Sequence, residues 1–85
     1  MTDIRDQYEK AAIAFAAAWR AEVSEHNIDI MISIMMHRDK VKPGGGFVES
    51  VCNNNLIEAV TKADSDNLRV LKLLALTYKN CYINE

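Results

Sequence analysis

Residues 27–36 read NIDIMISIMM, and the fold class depends on which secondary structure this stretch adopts. Isoleucine at every second position is typical of a β-strand. The same residues also place Ile28, Met31 and Met35 on one side of a helix. We favour the helix because a lone strand cannot satisfy its edges, the chain offers no convincing second strand, and Asn27 is a good N-cap.

Helical spacing extends toward the N-terminus of the chain. Thr2 or Asp3 can cap a first helix, and alanine, the strongest helix former, is abundant behind them. Apolar residues then recur every three or four positions through the first 25 residues: Ile4, Tyr8, Ala11, Ala12, Phe15, Trp19 and Val23. These positions predict one long helix.

The second half of the chain is divided by glycine, proline and asparagine. Pro43 and the three glycines after it predict that the central helix ends near Lys40. Short helices are expected over residues 47–52 and 56–63. Asp64 or Ser65 then caps a last helix, which is apolar nearly all round and is therefore expected in the centre of the protein.

The predicted fold class is all-α, in a compact bundle of four to five helices with long N-terminal and C-terminal helices and short central helices. We expect a single helical domain over residues 1–85, because so short a chain rarely holds two cores. A hydrophobic content of 49% argues against disorder. Since a core of this size is marginal, and the first helix presents small alanines, a homo-oligomer is expected.

Composition also excludes several classes of protein. A net charge of −2 argues against a general nucleic-acid or membrane-surface binder. The longest apolar stretch, residues 11–19, is well short of the ~20 residues of a membrane span, and the first residues lack the basic start of a secretion signal. We therefore expect a cytoplasmic protein. Cys52 and Cys81 are expected to be buried free thiols, and their spacing to His26 and His37 matches no metal-ligand motif, so neither metal nor cofactor is expected.

Cations, glycines and a helix start converge only between residues 38 and 47. Glycine amides can approach an anion closely, and a helix N-terminus adds partial positive charge. The asparagines that follow could read the polar edges of a ligand. The opposing interpretation is a flexible turn with solvated lysines, with asparagine used where φ is positive. The candidate ligand-binding residues are Arg38, Lys40, Lys42, Gly44, Gly45, Gly46, Phe47, Asn53, Asn54 and Asn55.

Residues 43–80 carry a set of short motifs, which are Pro43-Gly44-Gly45-Gly46-Phe47, Asn53-Asn54-Asn55-Leu56, Ala63-Asp64 with Asn67, and Tyr78-Lys79-Asn80. This pattern resembles small uncharacterised bacteriophage proteins with a Pro-Gly-Gly-Phe start, an Asn-Asp-Leu turn and an Ala-Asp-x-x-Asn cap. The chain differs in its third glycine and in having asparagine where those proteins tend to have aspartate. The resemblance covers less than half the chain and implies a phage accessory protein, active in the host cytoplasm.

No nucleophile pattern of the Ser/His/Asp or Cys/His type is present, so we expect a binding protein and not an enzyme. The first hypothesis is a counter-defence protein that sequesters a phosphate-bearing nucleotide signal. The alternative is an interaction protein that inhibits a host enzyme through an exposed helix face around Trp19, Arg20 and Val23. A structural or regulatory helical domain is the third possibility.

Overall fold

The computed structural model describes residues 3–83, and all regular secondary structure in that range is helical. The helices are α1 (Ile4–Ala18), α2 (Glu25–Arg38), α3 (Gly46–Cys52), α4 (Leu56–Lys62), α5 (Ser65–Arg69) and α6 (Leu71–Asn80). The all-α prediction is confirmed. Residues 3–83 form six helices, whereas four or five were expected, because the predicted last helix is divided in two at Val70.

The central stretch forms α2, which confirms the helical interpretation of residues 27–36. This helix packs against α1, α3, α5 and α6. Met31, Ile34 and Met35 are fully buried, and Ile28 and Ile30 are half-buried. Neighbours on nearly every side cover this helix, so apolar residues at alternate positions can all be buried without forming a strand.

The N-cap of α2 is Ser24, so the prediction of Asn27 as the cap was wrong. The Ser24 hydroxyl accepts a hydrogen bond from the backbone N–H of Asn27, and the Asn27 side chain accepts one from the backbone N–H of Ser24, both at 3.0 Å. This reciprocal pair is a capping box, in which the side chain of the third helical residue accepts a hydrogen bond from the backbone N–H of the N-cap residue. The predicted caps Asp3 and Asp64 are confirmed for α1 and α5, whereas Thr2 lies outside the described residues.

Three helices end in the same geometry, with a residue of positive φ after the helix. These residues are Arg20 after α1, Lys40 after α2 and Asn54 after α3, with φ of 53°, 61° and 57°. At α1 the N–H of Ala21 donates to the carbonyl of Ala16 at 2.9 Å, as in a Schellman motif. The first helix thus ends at Ala18, and its predicted extension to Val23 was wrong.

Only one side of α6 is buried, contrary to the expectation that the last helix lies in the centre. Leu73, Leu74 and Thr77 face the core, while Ala75 and Lys79 are exposed. It packs against α1, α2, α3 and α5, and these contacts involve its core-facing side. None of the helices in residues 3–83 combines the length and the apolar character that crossing a bilayer requires.

Both cysteines are free thiols, as expected. Cys81 is buried and its Sγ contacts the carbonyl of Ala11 at 3.6 Å, while the half-buried Cys52 contacts the carbonyl of Ile34 at 3.7 Å. Burial raises the pKa of the Cys81 thiol to about 11, so it is a packing group at neutral pH.

Candidate functional site

Arg38, the first cation of the predicted anion site, is turned into the protein. Its side chain is only 9% exposed. The guanidinium Nη1 donates to the carbonyls of Thr77, Tyr78 and Cys81 at 3.2, 3.1 and 2.6 Å. Its carbon Cζ lies 4.1 Å from the centre of the Tyr82 ring. Arg38 is therefore directed away from the glycine loop, because the carbonyls at the end of α6 and the negative end of its helix dipole attract this cation.

Asp39 holds the other side of the Arg38 guanidinium and extends the contact to α1. Arg38 Nε donates to Asp39 Oδ1 at 2.7 Å, and the Tyr8 hydroxyl donates to Asp39 Oδ2 at 2.9 Å. The hydrogen bond from Arg38 is the main cause that lowers the pKa of Asp39. Burial, with the bond to Asp39, raises the pKa of Tyr8. These residues connect α1, α2 and the end of α6.

Packing constrains the first of the three glycines, Gly44, while Gly45 and Gly46 are exposed. A Cβ on Gly44 would lie 2.4 Å from Val48 Cγ1, so only glycine fits there. The Gly44 N–H is already used, since it donates to His37 Nδ1 at 3.0 Å. None of the three glycines has a positive φ. Gly45 precedes α3 without a side-chain cap, and Phe47 packs against the core.

Two exposed cations remain in the predicted segment. Lys40 and Lys42 are solvent-exposed, and within residues 3–83 neither forms an ion pair. Because Arg38 is engaged elsewhere, the positive charge offered by this loop comes from these two lysines. Binding of a phosphate-bearing ligand by the loop stays a prediction.

The asparagines lie at the other end of α3 from the glycines. Asn54 has a positive φ, and the Asn55 side chain accepts from the backbone N–H of Glu58 at 3.2 Å and so caps α4. The interpretation of this run as a turn is confirmed. Five helical residues, 48–52, separate Phe47 from Asn53, which is about 9 Å along the helix axis. The structure does not bring them together.

A polar cluster, which was not predicted from the sequence, joins the start of α2 to α5. The buried Asn27 donates from Nδ2 to Oδ1 of the buried Asn67 at 3.2 Å. The Ser24 hydroxyl donates to Asp66, and this bond is the main cause that lowers the pKa of that carboxyl. Each polar group has a partner inside the protein, so the cluster positions α5 against α2.

The two histidines also contact groups inside the protein, and His26 Nε2 lies 3.3 Å from Nδ2 of Asn67 in the same polar cluster. His26 Nε2 lies 2.8 Å from Asp64 Oδ2, and His37 accepts from Gly44. In the described part of the chain no three His, Cys, Asp or Glu side chains are grouped as metal ligands.

The most exposed apolar surface lies on α4. The side chains of Leu56, Ile57 and Val60 are 69%, 75% and 40% exposed, and Ala59 is the buried residue of this helix. The spacing of these residues predicted a short helix, which α4 confirms. A helix of seven residues packed mainly on α3 cannot bury so wide an apolar arc, and that width is the signal which could have identified the surface.

Beside this surface an apolar groove of about 90 Å³ separates α4 from α6, with α3 behind it. Its apolar lining comes from all three helices: Val51, Leu56, Ala59, Leu71 and Ala75. Asn54 and Asn55 lie at its rim, so two of the predicted ligand residues belong to this groove and not to the glycine loop. We call the groove and the exposed side of α4 the α4/α6 surface.

Comparison of the chain with family models, with curated proteins and with solved structures gives no match.

Proposed function

We propose that this protein acts by binding another protein through the α4/α6 surface. The observation that supports this best is the exposure of three large aliphatic side chains, Leu56, Ile57 and Val60, on one short helix. Neighbouring apolar residues exposed in this way, next to a groove, are typical of protein-binding sites. Binding without chemistry also agrees with a phage accessory protein, which is what the resemblance implies.

The proposed surface differs from the region around Trp19, Arg20 and Val23, which the sequence suggested as a protein-binding face. Trp19 is 52% exposed, but it follows the last residue of α1, and Arg20 reverses the chain with a positive φ. Val23 is half-buried in the connection to α2. The three residues therefore form no helix face, whereas α4 offers one.

Sequestration of a nucleotide is the second candidate function. It is favoured by the exposed Lys40 and Lys42, which have no ion-pair partner within residues 3–83. It is weakened by the engagement of Arg38 and of the Gly44 N–H. Two cations on a loop suffice for weak attraction of a phosphate but leave its orientation undefined.

Mass spectrometry of material that co-purifies from host cells separates the two functions. One double variant, Leu56→Glu with Ile57→Glu, places charge on the exposed side of α4. The matched variant, Lys40→Glu with Lys42→Glu, reverses charge on the loop. Protein binding predicts a captured host protein that the α4 variant loses and the loop variant keeps. A captured nucleotide that only the loop variant loses would instead make nucleotide sequestration the function.

A further inference from the structure

The groove of the α4/α6 surface owes its depth to small side chains. Ala59 on α4 and Ala75 on α6 line it together with the longer Leu56 and Leu71 of the same two helices. Because alanine side chains end at Cβ, space remains between the two helices. The walls are two helices and not a strand edge, so the groove offers side-chain contacts and no ladder of backbone hydrogen bonds.

Two lysines of α6 flank the groove residue Ala75. Lys72 and Lys79 lie three residues before and four residues after Ala75, and therefore on the same side of α6. Both are exposed, and neither forms an ion pair within the described residues. The helix LKLLALTYKN contains no acidic residue. On α4 the single carboxylate, Glu58, is already paired with Lys62 at 3.2 Å.

We propose that the α4/α6 groove binds an acidic amphipathic helix of a partner protein. The inference rests on the proposed protein-binding function and names the chemistry of the partner. Apolar residues of the partner, spaced three and four apart, would fill the groove over Ala59 and Ala75. Carboxylates flanking that stripe would meet Lys72 and Lys79, which lie seven residues apart, or about 10 Å along α6. The partner's carboxylates are therefore also expected about two turns apart.

Charge argues against the other occupants of this groove. A second copy using the same surface would bring two further unpaired lysines into the interface and no free carboxylate from α6. A nucleic acid would meet mainly aliphatic side chains on α4, and the whole chain carries a net charge of −2.

Two synthetic helical peptides with the same apolar stripe test the proposal. One carries glutamate on both flanks and the other carries lysine at the same positions. Fluorescence anisotropy with the full-length protein should give at least about tenfold tighter binding of the glutamate peptide. The double variant Lys72→Glu with Lys79→Glu should reverse this preference, and Ala75→Glu should abolish binding of the glutamate peptide. Lys10→Glu, an exposed change on α1, is the control and should leave the preference intact.

Equal binding of the two peptides, or tighter binding of the lysine peptide, would overturn the acidic-helix inference. So would the absence of binding by both. The co-purification experiment reports on the proposed function separately, because a host protein lost with the α4 variant needs no particular partner charge. A dimer of the free protein that Ala75→Glu dissociates would also overturn the inference, since the occupant would then be a second copy. Circular dichroism of each variant establishes that it is folded.

Discussion

The guanidinium of Arg38 closes the end of α6, where the last carbonyls of a helix have no partners within the helix. It donates to three backbone carbonyls there and to Asp39 on its own helix end. Because this cation is mostly buried, its removal would destabilise the protein chiefly by leaving hydrogen-bond acceptors without a donor. Without it, the carbonyls of Tyr78 and Cys81 would lose this donor, and the Asp39 carboxylate would keep the Tyr8 hydroxyl but lose its cation.

We predict that Arg38→Ala lowers the free energy of unfolding by about 2–4 kcal/mol. Urea unfolding followed by circular dichroism measures this change. Lys42→Ala is the control, because Lys42 is exposed and unpaired within the described residues, and it should change stability by less than about 0.5 kcal/mol. Equal stability of the two variants would contradict the assigned role of Arg38.

The lowered pKa of Asp39 predicts a loss of stability in acid. Its ordinary value is 3.8, and the hydrogen bond from Arg38, followed by that from Tyr8, lowers the pKa in the folded protein. The folded state therefore binds this proton more weakly than the unfolded state. The stabilising contribution is complete above the unfolded value and is lost as the pH falls through the folded value.

We therefore expect the free energy of unfolding to fall below about pH 4, and to fall less steeply in Asp39→Asn. Urea titrations at neutral and acidic pH test this expectation. Asp6→Asn, a change to an exposed carboxylate in the first turn of α1, should keep the slope of the unmodified protein. An Asp39→Asn protein with that same slope would show that the acid sensitivity arises elsewhere.

At the scale of the elements, the helix ends carry an unusual feature. The left-handed positions after α1, α2 and α3 are occupied by Arg20, Lys40 and Asn54, while glycine, the residue suited to them, is used elsewhere. For a residue with a Cβ this conformation costs about 1–2 kcal/mol, and glycine loses about 0.5–1 kcal/mol more backbone entropy on folding. The difference favours glycine.

We predict that Lys40→Gly raises the free energy of unfolding by about 0.5–1 kcal/mol. Gly44→Ala should have the opposite effect, a loss of about 1–3 kcal/mol, because its new Cβ would lie 2.4 Å from Val48 Cγ1. Thermal and urea unfolding measure both. If both variants were stabilised, the packing of Gly44 against Val48 described above would be wrong.

At the scale of the whole molecule, the outer side of α1 exposes apolar side chains as the α4/α6 surface does. Ala14, Ala17 and Ala18 are exposed there beside Ile13, which is 54% exposed. Small side chains let a second helix approach closely, so this side suits the self-association expected of a marginal core.

We predict that the protein self-associates and that Ile13→Glu weakens the association by placing charge on the outer side of α1. Multi-angle light scattering over a range of concentrations measures it. Ile57→Glu on α4 is the control and should leave the oligomer unchanged. An unmodified protein that stays monomeric at high micromolar concentration would remove the expectation.

The sequence by itself determined the features that depend on near neighbours along the chain. The helical class, the caps Asp3 and Asp64, the end of α2 before the glycines and the positive φ of Asn54 all follow from groups a few residues apart. Such groups meet in any helical arrangement of the chain. For this reason these features were predicted correctly, whereas the cap at Asn27 and the extension of α1 to Val23 were not.

Only the tertiary structure decided which side chains of each helix are free to bind a partner. The guanidinium of Arg38 donates its hydrogen bonds to carbonyls that lie some forty positions later in the sequence. Leu56 and Ile57 show the spacing of core residues but are exposed, because no other element covers that side of α4. Helical periodicity shows that residues share a face, whereas burial of that face depends on what packs against it. The available binding surface therefore followed from the packing of distant segments.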